Sequence, residues 1–369
     1  MEMERNFRDL INYYRVKEAI RLFNDNDELT IKLGADIILN NGKATDWAKG
    51  EVPTNIWIPI GGGAASMDYK PFSGTFDGQG HTINGVYLKS SGQFLGLFGV
   101  TDANGSATIK NLKVVNSYYE STKTANHAGQ IDGTGSIVGR GTGTFENIYS
   151  DAIVYSRFQN TGGLIGTHRQ GPFDMTNCWF DGKVTGTIMV GGLLGYAHGE
   201  VSHTNMTDCL VTAEIASTNT SGDAYVGGLS GRLTNGKIDS CIVQGTLTGP
   251  GAVRAFFGLF GSNTNQTIEL VNLYHAANAT SWYAGGLGTT KTSGLKNISE
   301  ANLKGSKAYA NTLLSFYDKN TNTTGRWVLI EDGTPELKRK SISQRRKNSW
   351  IKTITALKKL KSAFLNFLL

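Results

Sequence analysis

Two aromatic side chains and two carboxylates recur at equivalent places in consecutive repeats of this sequence. Tyr149 and Asp151 follow one copy of an apolar-x-Asn-apolar motif, and Trp179 and Asp181 follow the next copy at the same distances. Alternate side chains of a strand share a face, so these four should lie together on an outer surface. Rings offer an apolar platform to a sugar, and carboxylates accept strong hydrogen bonds from its hydroxyls. The pattern predicts a glycan-binding site.

A structural role for the same rings is the alternative. The spacing of the repeats leaves room for an insertion from Tyr118 to Gly133, and for a second one near residues 217–223. Insertions of this kind project from a repeat protein and often bind ligands. Tyr118 and Tyr119 would then fold over Tyr149 and Trp179 and form a small second core.

Other reactive constellations are weak. The His-Glu-x-x-His motif of zinc peptidases is absent, and residues 198–203 carry His and Glu at the wrong spacing. Asp77 and His81 suit a turn better than an acid–base pair. Only Asp151 and Asp181 place acids on adjacent repeats, too few for the calcium site of a polysaccharide lyase. The sequence predicts no metal and no cofactor, and favours a protein that is not an enzyme.

Three cysteines occupy one position of three successive repeats, at Cys178, Cys209 and Cys241. An odd number of cysteines in identical register argues against a disulfide framework. A buried thiol packs as a small apolar group. We expect the three thiols to be reduced and stacked in the core.

Two motifs repeat in step and define the elements that position these residues. The first is a glycine box, typified by Gly191-Gly192-Leu193-Leu194-Gly195, with final glycines at 99, 139, 166, 195, 231, 261 and 288. The second follows each box and centres on Asn111, Asn147, Asn177, Asp208, Ser240, Asn272 and Asn297. A period of about 30 residues indicates stacked repeats that bury a core only together. We predict a parallel β-solenoid of about eight coils, with a ladder of asparagine amides at one turn.

Both ends of the chain differ from the repeats. Residues 5–23 have helical apolar spacing, which predicts an amphipathic helix that caps the first coil. Residues 338–369 hold ten of the 36 Lys and Arg and no acid, so residues 1–337 carry 26 bases against 30 acids. The repeat region is therefore slightly acidic, and we expect no nucleic-acid partner.

The tail predicts a basic amphipathic helix over residues 350–368. Its apolar residues, at helical spacing, are Trp350, Ile354, Leu357, Leu360, Phe364 and Leu368. Such a helix either lies on an anionic membrane surface or caps the C-terminal end of the solenoid. Neither a secretory signal nor a membrane-spanning run is expected in the sequence as given.

A resemblance to a family rests on residues 57–61, Trp-Ile-Pro-Ile-Gly, and residues 74–83, Gly-Thr-Phe-Asp-Gly-Gln-Gly-His-Thr-Ile. With the Gly-Gly-Leu-x-Gly boxes and the closing residues 327–337, they resemble the GLUG-motif proteins of bacterial surfaces. That group includes adhesin-like proteins and the repeat portion of IgA-specific metallopeptidases. The resemblance implies a right-handed parallel β-helix, an extracellular or cell-surface location, and binding rather than chemistry.

We therefore expect three parts: a capping helix at 1–27, an all-β parallel β-helix at 28–337, and a basic tail at 338–369. The expected function is that of a surface-associated, adhesin-like module that binds a glycan or a surface protein. A glycan-degrading enzyme on the same scaffold and a structural stalk that displays other domains are the alternatives. The sequence names neither the ligand nor the oligomeric state.

Overall fold

The computed structural model describes most of the chain between Thr30 and Asn297 and one short strand pair beyond it. The described residues are 30–62, 70–101, 104–124, 132–158, 160–197, 202–220, 224–250, 253–261, 265–275, 277–279, 281–283, 289–297, 327–329 and 335–337. The predicted capping helix and the basic tail lie outside them. The domain boundaries at 27 and 337 stay predictions.

The first sheet has 16 strands and includes the asparagine motif of every coil. Its strands are β1 (Thr30–Lys32), β2 (Ile37–Ile38), β3 (Thr75–Asp77), β4 (Thr82–Asn84), β8 (Thr108–Val115), β12 (Gly143–Ser150), β16 (Gly171–Thr176), β17 (Trp179–Phe180), β21 (Ser202–Thr207), β22 (Leu210–Val211), β26 (Gly236–Asp239), β27 (Ile242–Val243), β30 (Thr267–Val271), β31 (Tyr274–His275), β33 (Thr289–Ser293) and β34 (Lys296–Asn297).

The second sheet has 12 strands and includes the glycine boxes. Its strands are β6 (Phe94–Leu95), β7 (Phe98–Val100), β10 (Gly133–Thr134), β11 (Val138–Arg140), β14 (Asn160–Gly162), β15 (Ile165–His168), β19 (Met189–Gly191), β20 (Leu194–Ala197), β24 (Tyr225–Gly227), β25 (Ser230–Leu233), β29 (Arg254–Phe260) and β32 (Ser281–Tyr283).

The third sheet has six strands. They are β5 (Tyr87–Ser90), β9 (Tyr118–Ser121), β13 (Ile153–Ser156), β18 (Lys183–Gly186), β23 (Glu214–Ser217) and β28 (Thr246–Thr248). A short helix, α1 (Ala44–Trp47), packs against Tyr87 and Tyr118 outside this sheet. An antiparallel pair, β35 (Trp327–Leu329) with β36 (Pro335–Leu337), completes the described elements.

The three sheets form the walls of a parallel β-solenoid. Their strands pair in parallel, each with its equivalent in the next coil, as Tyr149 does with Trp179 and Trp179 with Leu210. One apolar cluster runs inside the walls from Leu33 to Ala277. In the described residues about six turns are complete on all three sides, since the third sheet has six strands. The architecture is confirmed, and the predicted number of about eight coils is not.

The predicted ladder of side-chain amides forms from Asp77 to Asn177, and the structure adds a backbone reason for the whole motif. Asn177 Nδ2 donates to Asn147 Oδ1 at 2.7 Å, Asn147 Nδ2 to Asn111 Oδ1 at 2.9 Å, and Asn111 Nδ2 to Asp77 Oδ1 at 2.9 Å. The ladder residues from Asn111 to Asn272 have φ between 50° and 59°. Asn and Asp tolerate this left-handed conformation best among residues with a side chain, so the motif also marks the bend between the two strands of each coil.

The glycine boxes join the two halves of each coil in the second sheet. Gly191, Gly192 and Gly195 of the typical box do not have positive φ, so conformational freedom is not the reason for glycine there. A Cβ atom on Gly192 would lie 2.2 Å from the carbonyl oxygen of Gly228, and one on Gly163 would lie 2.1 Å from that of Gly192. Glycine is needed because successive coils approach each other more closely here than a side chain permits.

The predicted insertion around Tyr118 begins later than the sequence indicated. Tyr118 and Tyr119 belong to β9, which pairs with β5 and β13 in the third sheet. Tyr119 is fully buried in the central core, and Tyr118 stacks on Tyr87 with ring centroids 5.8 Å apart. The hypothesis that these two tyrosines fold over Tyr149 and Trp179 is therefore wrong. Residues 125–131 lie outside the described part of the chain.

The three cysteines are buried and free, in one column of the central core. Their thiols point to backbone carbonyl oxygens, as Cys178 Sγ does to Thr176 O at 3.4 Å. In the described residues no helix has the length and apolar character needed to cross a membrane.

Candidate functional site

The four predicted site residues lie together on the outer face of the first sheet. Tyr149 is the second-to-last residue of β12, and Trp179 is the first residue of β17. The two are register partners. Asp151 and Asp181 follow two residues later. Their neighbours Ile148, Cys178 and Phe180 are in the central core, so strand alternation places the site residues outside, as the sequence predicts.

The two rings form one unit. The Tyr149 and Trp179 ring centroids are 5.0 Å apart, with an angle of 72° between the planes, the edge-to-face arrangement that aromatic pairs prefer. Trp179 Nε1 donates to Thr212 Oγ1 at 2.8 Å. Trp179 is only 8% exposed, whereas Tyr149 is half-buried. The buried indole of Trp179 therefore packs against the Tyr149 ring and positions it, and the Tyr149 ring is the one more accessible to a ligand.

Asp181 is exposed and is oriented by two hydroxyl groups. Thr212 donates to Asp181 Oδ1, and the Tyr149 hydroxyl donates to Asp181 Oδ2 at the long distance of 3.4 Å. Asp151 is half-buried, and its Oδ1 accepts the backbone N–H of Asn116 at 2.6 Å. The arrangement presents one open carboxylate beside a phenol, with a second carboxylate behind it.

The surroundings shift the protonation of all three titratable groups. Although the Asp181 side chain is open to solvent, partial desolvation by its neighbours raises its pKa, while hydrogen bonds from Thr212 and Tyr149 act in the opposite direction. Burial also raises the pKa of Asp151, against the Asn116 N–H, and the charge of Asp181 adds to the increase. Burial, followed by the two carboxylates, raises the pKa of Tyr149, so its phenol remains a donor at neutral pH.

Sequence reasoning missed two members of the cluster. Thr212 occupies in the next coil the position that Asp181 occupies in its own, so the repeat alignment contained the signal. Asn116 carried no such signal, because its contribution is a backbone N–H. Its φ of 47° turns the chain after β8, and Asp151 of the following coil accepts from it.

The other candidate residues have separate partners. Asp77 accepts from the Gln79 backbone N–H at 3.0 Å and from Asn111, whereas His81 Nδ1 lies 3.2 Å from Asp36 Oδ1. Asp77 thus anchors the asparagine ladder and terminates a turn. Residues 198–201 of the His-Gly-Glu segment lie outside the described residues. Within the described ranges, no three His, Cys, Asp or Glu side chains are grouped so as to hold a metal ion.

Comparisons with known proteins support the fold. A Bacteroides ovatus crystal structure, of a protein provisionally named an immunoglobulin A1 protease, superimposes with a TM-score of 0.58 over 87% of this chain and 90% of that one, at 17% identity. Halomucin of Haloquadratum walsbyi is 30% identical over 139 residues, which are 37% of this chain but only 1% of Halomucin. No family model matches the chain, so membership of the GLUG-motif family stays a prediction.

Proposed function

We propose that this chain is a non-catalytic, surface-associated, adhesin-like module that binds a glycan through the Tyr149–Asp181 cluster. The observation that carries the proposal is an exposed carboxylate, Asp181, held by the hydroxyls of Thr212 and Tyr149 on the outer wall. The β-solenoid suits this role, because its coils hold outward side chains in fixed register. The surface location rests on the resemblance to GLUG-motif proteins.

Each member of the cluster has a distinct part in the proposed recognition. The Asp181 carboxylate accepts hydrogen bonds from sugar hydroxyls, and such bonds to an ionised acceptor are about twice as strong as neutral ones. The half-buried ring of Tyr149 packs against the C–H face of the sugar. Trp179 fixes the tilt of that ring through the edge-to-face contact, so its role is positioning rather than direct contact.

Binding should weaken as the pH falls. Sugar hydroxyls bind more strongly to an ionised carboxylate than to a protonated one, and the pKa of Asp181 and that of Asp151 are both raised, chiefly by desolvation. Protonation therefore weakens these acceptors at a higher pH than it would for ordinary aspartates. A phenol that stays protonated keeps Tyr149 in place over the same range.

A screen of the full chain against immobilised glycans tests the proposal. We expect a saturable ligand whose affinity falls at least tenfold in Asp181→Asn, with the folded state intact. Asp174→Asn is the matched control, because Asp174 is an exposed carboxylate on β16 of the same coil, in another column. Equal loss in both variants contradicts the site.

Three further outcomes contradict the proposed function as a whole. Cleavage of a polysaccharide, with or without Ca²⁺, would assign the chain to the glycan-degrading enzymes. The absence of any saturable ligand would favour a structural stalk. Binding to a surface protein that carries no glycan would show that the ligand is a protein. The name of the Bacteroides ovatus neighbour includes that of a protein, an immunoglobulin.

A further inference from the structure

A pocket with a volume of about 510 Å³ opens beside α1, near the N-terminal end of the described solenoid. Its walls come from two loops, residues 39–42 and residues 51–55, and from the indole of Trp47 between them. Small-molecule sites in proteins usually have volumes of about 300–1,000 Å³, and this pocket lies within that range. None of its lining residues belongs to the Tyr149–Asp181 cluster.

The indole N–H of Trp47 is a buried donor for which the described residues supply no acceptor. Trp47 is 3% exposed, and an edge-to-face contact with Tyr87, at 5.9 Å between ring centroids, holds its ring. Two other buried indoles have acceptors: Trp57 Nε1 donates to a carbonyl oxygen at 2.9 Å and Trp179 Nε1 to a hydroxyl at 2.8 Å. Because buried donors in native proteins nearly always have a partner, the Trp47 N–H indicates an acceptor that a bound molecule supplies.

Gly42 keeps the N–H edge of this indole open to the pocket. A Cβ atom at position 42 would lie 2.8 Å from Trp47 Nε1. The φ of Gly42 is not positive, so the glycine is needed for the space beside the N–H and not for its conformation. Asn116 fixes the loop, because its Nδ2 donates to Gly42 O at 2.8 Å and its Oδ1 accepts the Ala44 N–H at 2.9 Å.

The other walls of the pocket combine one carboxylate with apolar surface. Glu51 and Val52 are exposed, and Leu39 and Pro53 line the same space. A ligand must therefore offer an acceptor to the Trp47 N–H, a donor to the Glu51 carboxylate and C–H groups to Val52. A sugar ring meets all three requirements, because each hydroxyl both donates and accepts hydrogen bonds and the ring carbons carry C–H groups.

We propose that this pocket is a second sugar subsite and that the ligand is an oligosaccharide chain that reaches from it to the Tyr149–Asp181 cluster. The inference rests on the proposed function. Asn116 joins the two sites, because the residue whose side chain holds Gly42 also donates its backbone N–H to Asp151 at 2.6 Å.

The separation of the two sites determines the length of the ligand. The pocket loop follows β2, and β2, β4, β8, β12 and β17 pair in succession. Four steps between coils therefore separate the loop from Asp181, or about 19 Å at the usual strand spacing. A single sugar cannot contact both sites, so the ligand must contain several linked sugar residues.

The indole N–H signals of the full chain, labelled with nitrogen-15 in tryptophan, test the pocket by NMR. Trp47→Phe assigns the Trp47 signal, and the probes are glucose, galactose, mannose and N-acetylglucosamine. We expect at least one probe to shift this signal saturably, and Gly42→Ala, which covers the N–H, to abolish the shift. Gly34→Ala is the control, because a Cβ there meets no atom within 4 Å. A Trp47 signal that none of the four sugars moves would overturn the subsite.

Glu51→Gln tests the same pocket without a change beside the indole. We expect it to weaken binding of the responding sugar at least fivefold, because a neutral acceptor replaces a charged one. Glu214→Gln, at an exposed carboxylate on the third sheet, is the matched control and should bind normally. Equal affinities in the parent protein and Glu51→Gln would contradict the assigned role of Glu51.

Cello-, galacto-, manno- and chito-oligosaccharides of two to six residues test the extended ligand by calorimetry. We expect the affinity of one series to rise at least tenfold with length, and the affinity of its longest member to fall at least tenfold in both Glu51→Gln and Asp181→Asn. Affinities that do not depend on length would overturn the extended ligand.

The two variants also separate this inference from the proposed function. A loss in Asp181→Asn without a loss in Glu51→Gln would overturn the second subsite and support the proposed function. A loss in Glu51→Gln without a loss in Asp181→Asn would keep the pocket as a sugar site but contradict both the extended ligand and the proposed function.

Discussion

The side-chain amide of Asn177 donates to Oδ1 of Asn147 at 2.7 Å, from one coil of the solenoid to the next. Both residues have left-handed backbone conformations, with φ of 59° and 55°. One side chain thus serves two purposes, because it links adjacent coils and tolerates the bend that every coil needs.

Substitution at Asn147 separates these two purposes. Asn147→Gly loses the hydrogen bonds with Asn111 and Asn177 but keeps the backbone conformation, so we expect a loss of about 1–3 kcal/mol in unfolding free energy. Asn147→Ala loses the same bonds but keeps a Cβ in the left-handed region without the short polar group that makes this conformation tolerable for Asn, so it should lose about 1–2 kcal/mol more than the glycine variant. Urea unfolding measures both. Equal stability of the two variants would contradict the backbone argument.

Gly192 should tolerate no side chain. In Gly192→Ala the Cβ would lie 2.2 Å from the Gly228 carbonyl oxygen, so the coils must separate at this point. We expect a loss of about 3 kcal/mol, the upper part of the range for overpacking, measured by chemical denaturation. Gly34→Ala is the control, because a Cβ there meets no atom within 4 Å. Similar losses in both variants would refute close approach as the reason for the box.

The three cysteine thiols should resist modification until the protein unfolds. Cys178, Cys209 and Cys241 are each fully buried and free, so a water-soluble thiol reagent cannot reach them in the native state. Mass spectrometry should find little labelling in buffer and three labelled thiols in denaturant. Rapid labelling of all three without denaturant is the contrary result.

Acid should weaken the fold through His168. This side chain is fully buried, and its Nδ1 lies 3.1 Å from the Gly141 carbonyl oxygen. Burial lowers the pKa of His168 from 6.5 to about 4. Between about pH 6.5 and pH 4, the imidazole is protonated in the unfolded chain but neutral in the folded chain. The free energy of unfolding is therefore unaffected above about pH 6.5 and falls as the pH decreases toward 4.

The expected loss is about 3 kcal/mol, since each unit of pKa shift corresponds to about 1.4 kcal/mol. Urea unfolding at pH 7.5 and pH 4.5 should show a smaller pH dependence in His168→Gln than in the parent protein. His203→Gln, at an exposed histidine, should leave the dependence unchanged. An identical pH dependence in His168→Gln would exclude this residue as the source.

Trp179→Ala should lower the stability of the protein, because its indole is part of the packed structure. The ring is 8% exposed and contacts both Tyr149 and Thr212. Truncation of a buried aromatic usually lowers stability by about 3–5 kcal/mol, which a thermal or urea melt detects. A loss below about 1 kcal/mol would return Trp179 to the role of an exposed platform.

The sequence by itself determined the architecture, because every coil of a solenoid needs the same local features at the same positions. Each Asn or Asp of the ladder marks a bend, each glycine box marks a close approach, and each apolar position between them faces the same core. Agreement among repeats made the assignment of Tyr149, Trp179, Asp151 and Asp181 to one outer face possible without coordinates.

Only the tertiary structure decided which outward residues are exposed. Periodicity assigns Trp179, Leu210 and Ile242 to the outside, but it carries no information on what else packs there, and they are buried. It also placed Tyr118 in an insertion, although β9 belongs to the third sheet. Burial and the partners of Asp181 depend on contacts between coils and between walls, which connect residues about 30 positions apart and therefore arise only when the chain is stacked.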